Sequence, residues 1–94
     1  MAGSWVSDDA ADSMSAEDLR KAMLDLMDAL SGDIIRTETM AEELTRAAVA
    51  LSDHQRGSKA IRDTAVRKRV QAIELRGQLA ALRDEYAKRF PLKL

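Results

Sequence analysis

The sequence predicts an all-α fold: an antiparallel helical hairpin with coiled-coil-like packing, which we expect to dimerise into a helical bundle. Ala, Leu, Met, Arg, Glu, Asp and Lys dominate its 94 residues, whereas the chain has only one proline, four glycines and 3% aromatic residues. Apolar residues recur at spacings of three and four through two long segments, as in amphipathic helices. A chain of this size forms one small domain, for which oligomerisation adds stability.

The domain organisation follows from where helix signals begin and end. We expect a disordered acidic tail over 1–14, a single helical domain over 15–90 and a short C-terminal tail over 91–94. The helical domain divides into three parts: a first arm at about 16–52, a loop at 53–58 and a second arm at about 59–90. The arms are similar in length, and a short connection favours antiparallel neighbours.

The first arm begins with a capping signal. Ser15 and Asp18 have the spacing of a capping box, in which the hydroxyl accepts a hydrogen bond from a free backbone N–H. The segment Ser-Gly-Asp at 31–33 then signals a break. Because the apolar stripe resumes in phase after it, we predict one arm that is kinked or locally broken at 31–33, and three helices in total if the break is complete. The stripe comprises Leu19, Met23, Leu26, Leu30, Thr37, Ala41, Leu44, Ala48 and Leu51.

The second arm has its own boundary signals. Gly57 is placed to adopt the left-handed conformation that ends a helix, and Ser58 is placed to cap the next one. Pro91 predicts a helix end at Phe90, because the residue before a proline is pushed out of the helical region.

A heptad repeat in the second arm predicts the face that packs against the first. The a positions are Ala65, Ala72, Leu79 and Tyr86, and the d positions are Ile61, Lys68, Leu75, Leu82 and Arg89. Each e position beside this seam is an arginine, and we call Arg62, Arg69, Arg76 and Arg83 the arginine row. Residues 1–54 contain twelve acidic and four basic residues, whereas 55–94 contain four acidic and eleven basic ones. The arginine row is therefore expected to face acids of the first arm, namely Glu38, Glu42 and Glu43.

A second apolar surface lies on the opposite side of the second arm. Val66, Val70 and Ile73, which we call the apolar strip, are turned away from the seam, and small residues at Gly77, Ala80 and Ala81 extend it. A helix that is apolar on two sides usually sits between two partners. One folded-back arm covers only one side, so the pattern predicts a homodimer or a groove for another protein's helix.

The residue types of this chain give little support for catalysis or metal binding. The chain has no cysteine and one histidine, His54, whose neighbours Ser52 and Asp53 are typical of a polar loop that caps helix ends. The three glutamates of the first arm lack the Glu-x-x-His pairs of a di-iron bundle. We therefore expect no enzyme activity and no catalytic, cofactor-binding or metal-binding residues.

The function favoured by the sequence is a non-enzymatic helical protein–protein interaction module: an adaptor, small chaperone or assembly regulator in the cytoplasm. The predicted contacts with a partner, or with a second copy, are Val66, Val70 and Ile73 with Arg62, Arg69 and Arg76. No run of apolar residues is long enough to cross a membrane, so no membrane partner is expected.

Two alternatives remain open. The first is a nucleic-acid-binding regulatory protein that contacts phosphates through the basic segment 56–76, with Arg56, Lys59, Arg67 and Lys68 as contacts. Against it, the basic residues spread around most of the helix circumference, and no aromatic lies among them to stack on bases. The minor alternative is a small all-helical enzyme that acts on an anionic metabolite.

Overall fold

Two long α-helices pack against each other as a hairpin. A computed structural model of the protein describes residues 14–51 and 55–92, and within them helix α1 spans Ala16–Ala50 and helix α2 spans Gln55–Arg89. Each helix has 35 residues, which corresponds to a length of roughly 52 Å. The predicted all-α hairpin is confirmed. The predicted acidic tail before Met14, and His54 with its two neighbours, lie outside the described residues.

Helix α1 begins as its sequence predicts. The backbone N–H of Asp18 donates to the Ser15 hydroxyl at 3.0 Å, which satisfies one of the free donors of the first turn. The carboxylates of Glu17 and Asp18 lie in the same turn, where the helix dipole favours negative charge.

The segment 31–33 does not divide the first arm. Helix α1 runs through it without interruption, so the alternative of three helices is wrong for the described residues. The Ser31 hydroxyl donates to the Met27 carbonyl at 2.9 Å, which satisfies the serine inside the helix. Burial of Ile34 directly after the segment ties this part of the helix to α2 and offsets the low helix propensity of Gly32. A kink at this point stays a prediction.

Helix α2 begins before its expected start. Because it starts at Gln55, Gly57 and Ser58 lie inside the helix, whereas the sequence placed them in a loop over 53–58. Gly57 has no left-handed conformation, which corrects its predicted role as a helix end. Ser58 is buried, and its hydroxyl donates to the Ala48 carbonyl of α1 at 3.0 Å instead of capping α2. At the other end, the helix stops at Arg89, one residue before the predicted end.

The contact between the helices is built from small residues. Ser58, Ala65, Ala72 and Leu79 recur at every seventh position of α2 and are all buried. The predicted a positions therefore form the buried column, with Tyr86 half-buried at its end. Four of the predicted d positions are half-buried, and Arg89 is exposed. Among the described residues, the buried apolar set contains four alanines out of seven: Met23, Ile34, Ala41, Ala48, Ala65, Ala72 and Leu79.

The alanine columns determine how closely the helices pack and how much apolar area the core buries. They let the helices approach closely, but each alanine removes little apolar area from water. The hairpin therefore has a thin core. Within the described residues, neither helix is long and apolar enough to cross a bilayer.

Enlarging a seam alanine should destabilise the hairpin. We expect Ala72→Leu to lower the free energy of unfolding by about 1–3 kcal/mol, because Ala72 is 3% exposed in the contact with α1 and a larger side chain there would push the helices apart. Urea unfolding followed by circular dichroism measures this. Ala60→Leu is the matched control on an exposed position of the same helix. Equal effects of the two variants would contradict a close alanine contact.

Candidate protein-binding surface

The apolar strip lies at the surface of α2. Val66, Val70 and Ile73 are 54%, 49% and 67% exposed, respectively. They lie on a different side of the helix from the buried column of Ala65 and Ala72, so packing against α1 leaves them in contact with solvent. The structure thus places the three predicted strip residues together on one uncovered face.

The arginine row follows the edge of the contact with α1. Arg76 donates to a carboxylate oxygen of Glu38 at 2.5 Å, and Arg69 donates to the Thr45 hydroxyl at 2.8 Å. Both acceptors belong to α1, so the row points toward the first arm as predicted. Glu38 is the one predicted acid that reaches it in the described residues. Glu42 instead lies 3.9 Å from Arg46 of its own helix, and Glu43 is exposed.

Three shallow hollows follow one another along the arginine row. Their volumes are about 230, 310 and 360 Å³. Val49 lines the first with Arg62, Ile73 lines the second with Arg69, and Ile35 lines the third with Arg83. Exposed apolar side chains of both helices thus alternate with guanidinium groups along one side of the hairpin.

Sequence reasoning missed two members of this side. Ile35 and Val49 are 64% and 70% exposed. They share one side of α1 with Glu38, Glu42 and Thr45, at spacings of three and four. This side of the helix is therefore mostly polar in sequence and shows no continuous apolar stripe. The signal that the sequence offered for Ile35 and Val49 was their spacing of three or four residues from Glu38, Glu42 and Thr45, which places them on the same side of α1.

Two of the basic residues of the nucleic-acid alternative contact other side chains of α2. Lys59 pairs with Asp63 of its own helix at 3.1 Å, and Arg67 donates to the Thr64 hydroxyl at 2.9 Å. Lys68 is half-buried at the edge of the seam, whereas Arg56 is exposed near the start of α2. At roughly 100° per residue, Arg56, Lys59 and Arg67 lie on one side of α2, and Lys68 lies apart from them. The ion pair with Asp63 reduces the charge that Lys59 offers to phosphates.

The open end of the hairpin holds a further hollow that the sequence did not suggest. It has a volume of about 810 Å³ and is lined mainly by Tyr86, Phe90, Pro91 and Leu92. The rings of Tyr86 and Phe90 lie with centroids 5.1 Å apart. Arg20 of α1 donates to the Tyr86 hydroxyl at 3.0 Å, and this hydrogen bond, with the nearby Glu17 carboxylate, raises the pKa of Arg20 above its ordinary value. The contact links the two chain ends of the hairpin.

The cross-helix ion pair should respond to a charge exchange. We expect Arg76→Glu to destabilise the hairpin by about 1 kcal/mol, because it places two carboxylates together at a partly exposed site. Adding Glu38→Arg should recover most of that loss, as measured by urea unfolding of the two single variants and the double variant. If the double variant loses the sum of the two single losses, the pair does not couple the helices.

No protein-family model matches the chain, and no curated protein or solved structure is significantly similar to it.

Proposed function

We propose that this protein is a non-enzymatic helical interaction module that binds a partner helix or a second copy of itself. The observation that supports this most is the exposure of Val66, Val70 and Ile73 on the uncovered side of α2. Three neighbouring β-branched side chains on one helix face form an apolar patch. Such a patch is typical of a surface that another chain covers.

The thin core supports association as well. A contact made largely of alanines stabilises a two-helix unit only weakly, since hydrophobic stabilisation scales with the apolar area buried. Covering the apolar strip would bury additional large side chains and give α2 a partner on both of its apolar sides. We therefore propose that the hairpin dimerises into a helical bundle with coiled-coil-like packing.

The arginine row gives such an association its orientation. Arg76 is balanced by Glu38, whereas no ion pair within the described residues involves Arg62 or Arg69. Where the partner is a helix of another protein, cations beside the apolar contact favour an acidic surface on that helix and disfavour a basic one. The resulting role is that of an adaptor, small chaperone or assembly regulator in the cytoplasm.

A charge placed in the apolar strip should weaken association without unfolding the helices. We expect Val70→Asp to raise the dissociation constant for self-association or partner binding at least about tenfold, because it desolvates a carboxylate in an apolar contact. Sedimentation measures the association and circular dichroism measures the helix content. Gln71→Asp adds the same charge on a neighbouring exposed position outside the strip and serves as the control. A Val70→Asp protein that unfolds as a monomer would identify the strip as ordinary core.

The alternative function, nucleic-acid binding, draws on the excess of basic residues in 55–94. It predicts that Arg67→Glu with Arg69→Glu abolishes retention of DNA or RNA at moderate salt, because phosphate contacts supply most non-specific affinity. Filter binding with wild-type protein as the reference measures this. Absence of retention by the wild type would eliminate the alternative.

A further inference from the structure

We propose that the occupant of the apolar strip is helix α2 of a second copy, lying antiparallel, with Val66 opposite Gly77 and Val70 opposite Ile73 of the partner copy. This inference rests on the proposed function, since it takes the strip to be a protein-binding surface, and it names the partner and the register.

A continuous seam runs along the exposed side of α2. Starting from Lys59, exposed residues recur at alternating spacings of four and three, the repeat by which one helix packs along another. These residues are Lys59, Asp63, Val66, Val70, Ile73, Gly77, Ala80 and Asp84. The proposed register is symmetric: each residue of this set faces another member of it. A two-fold axis requires such a self-complementary surface.

Residue sizes along the seam match in this register. A bulky half, at Val66, Val70 and Ile73, is followed by a small half, at Gly77 and Ala80. Antiparallel pairing places Val66 of each copy over Gly77 of the other, while Val70 and Ile73 meet at the centre.

The glycine itself has no explanation within one chain. A Cβ atom added to Gly77 would meet nothing within 4 Å, so no contact of the hairpin requires its lack of a side chain. A glycine in a helix interior costs about 1 kcal/mol relative to alanine. Close approach of a second helix is a physical reason for keeping it.

Charges on one flank of the seam are complementary as well. In this register Arg67 faces Glu74 of the partner copy, and the same pair forms again across the two-fold axis. At each end of the seam itself, Lys59 faces Asp84 of the partner copy, and both also pair within their own helix, with Asp63 and Lys88 respectively. Within the described residues Glu74 takes part in no ion pair, so the contact would supply one.

The other flank carries the arginine row of both copies. Arg69 of one copy approaches Arg76 of the other there, and Arg62 approaches Arg83, which is unfavourable between bare cations. Arg76 is already paired with Glu38 at 2.5 Å, and this carboxylate offsets the repulsion between Arg69 and Arg76 at the centre of the flank. The Arg76–Glu38 contact therefore serves the dimer as well as the hairpin.

Disulfide trapping tests the register, because the natural chain contains no cysteine. Full-length Val66→Cys and Gly77→Cys proteins are mixed and oxidised, and we expect the mixed disulfide to form in preference to either homotypic one. The two Val66 positions of the proposed dimer are separated along the helix by about 16 Å, whereas a disulfide needs Cα atoms roughly 4–7 Å apart. A dominant Val66–Val66 disulfide would indicate parallel pairing and overturn the inference.

A charge exchange tests the same register without cysteines. Arg67→Glu and Glu74→Arg should each raise the dissociation constant of the dimer about tenfold, since each places like charges together twice. The double variant should return to within about threefold of wild type, as measured by sedimentation over a roughly hundredfold range of protein concentration. A double variant as weak as the single ones would contradict the pairing.

The two proposals can fail separately. A wild-type protein that stays monomeric over the same concentration range overturns self-pairing, whatever the strip binds. The interaction-module proposal fails instead if Val70→Asp unfolds the monomer.

Discussion

The close contact between two columns of small residues is the constraint on which this hairpin depends. Alanine and serine at every seventh position of α2 allow α1 to approach, and Ala41 and Ala48 do the same from the other side. Close approach lets the Ser58 hydroxyl reach the Ala48 carbonyl and lets Arg76 reach Glu38. The same small residues bury little apolar area. The contact therefore determines how the two helices are placed more than it stabilises them.

Polar contacts fix the alignment of the two helices at both ends and along one edge. The Ser58–Ala48 hydrogen bond lies near the connection, the Arg20–Tyr86 hydrogen bond lies near the chain ends, and Arg69 and Arg76 bond to α1 between them. A partly exposed ion pair such as Arg76–Glu38 stabilises a fold by only about 0–1 kcal/mol. The shared effect of these polar contacts is to exclude shifted registers, in which several of them would be lost together.

Helix α2 has two apolar sides, and only one of them packs against α1. One side contacts α1 through small residues, and the other presents the apolar strip followed by Gly77. The thin core limits the stability of a single hairpin. Burial of the uncovered apolar strip would add stability. This combination supports the proposed association, and the open position beside Gly77 supports a helix as the occupant.

The sequence by itself determined the two arms, the cap at Ser15, the end of α2 near Pro91 and the buried heptad column, because these follow from local backbone chemistry and helical periodicity. It also identified the strip and the arginine row, since both are patterns on one helix. Tertiary structure alone decided that 31–33 stays helical: burial of Ile34 against α2 outweighs the weak local preference of Ser31 and Gly32 for a break. Likewise, Ser58 donates across the helices because a carbonyl of α1 lies within reach. Ile35 and Val49 lie beside the arginine row because the packing of α1 on α2 brings them there. Contacts between distant segments depend on how the helices are aligned, and periodicity within either helix does not specify that alignment.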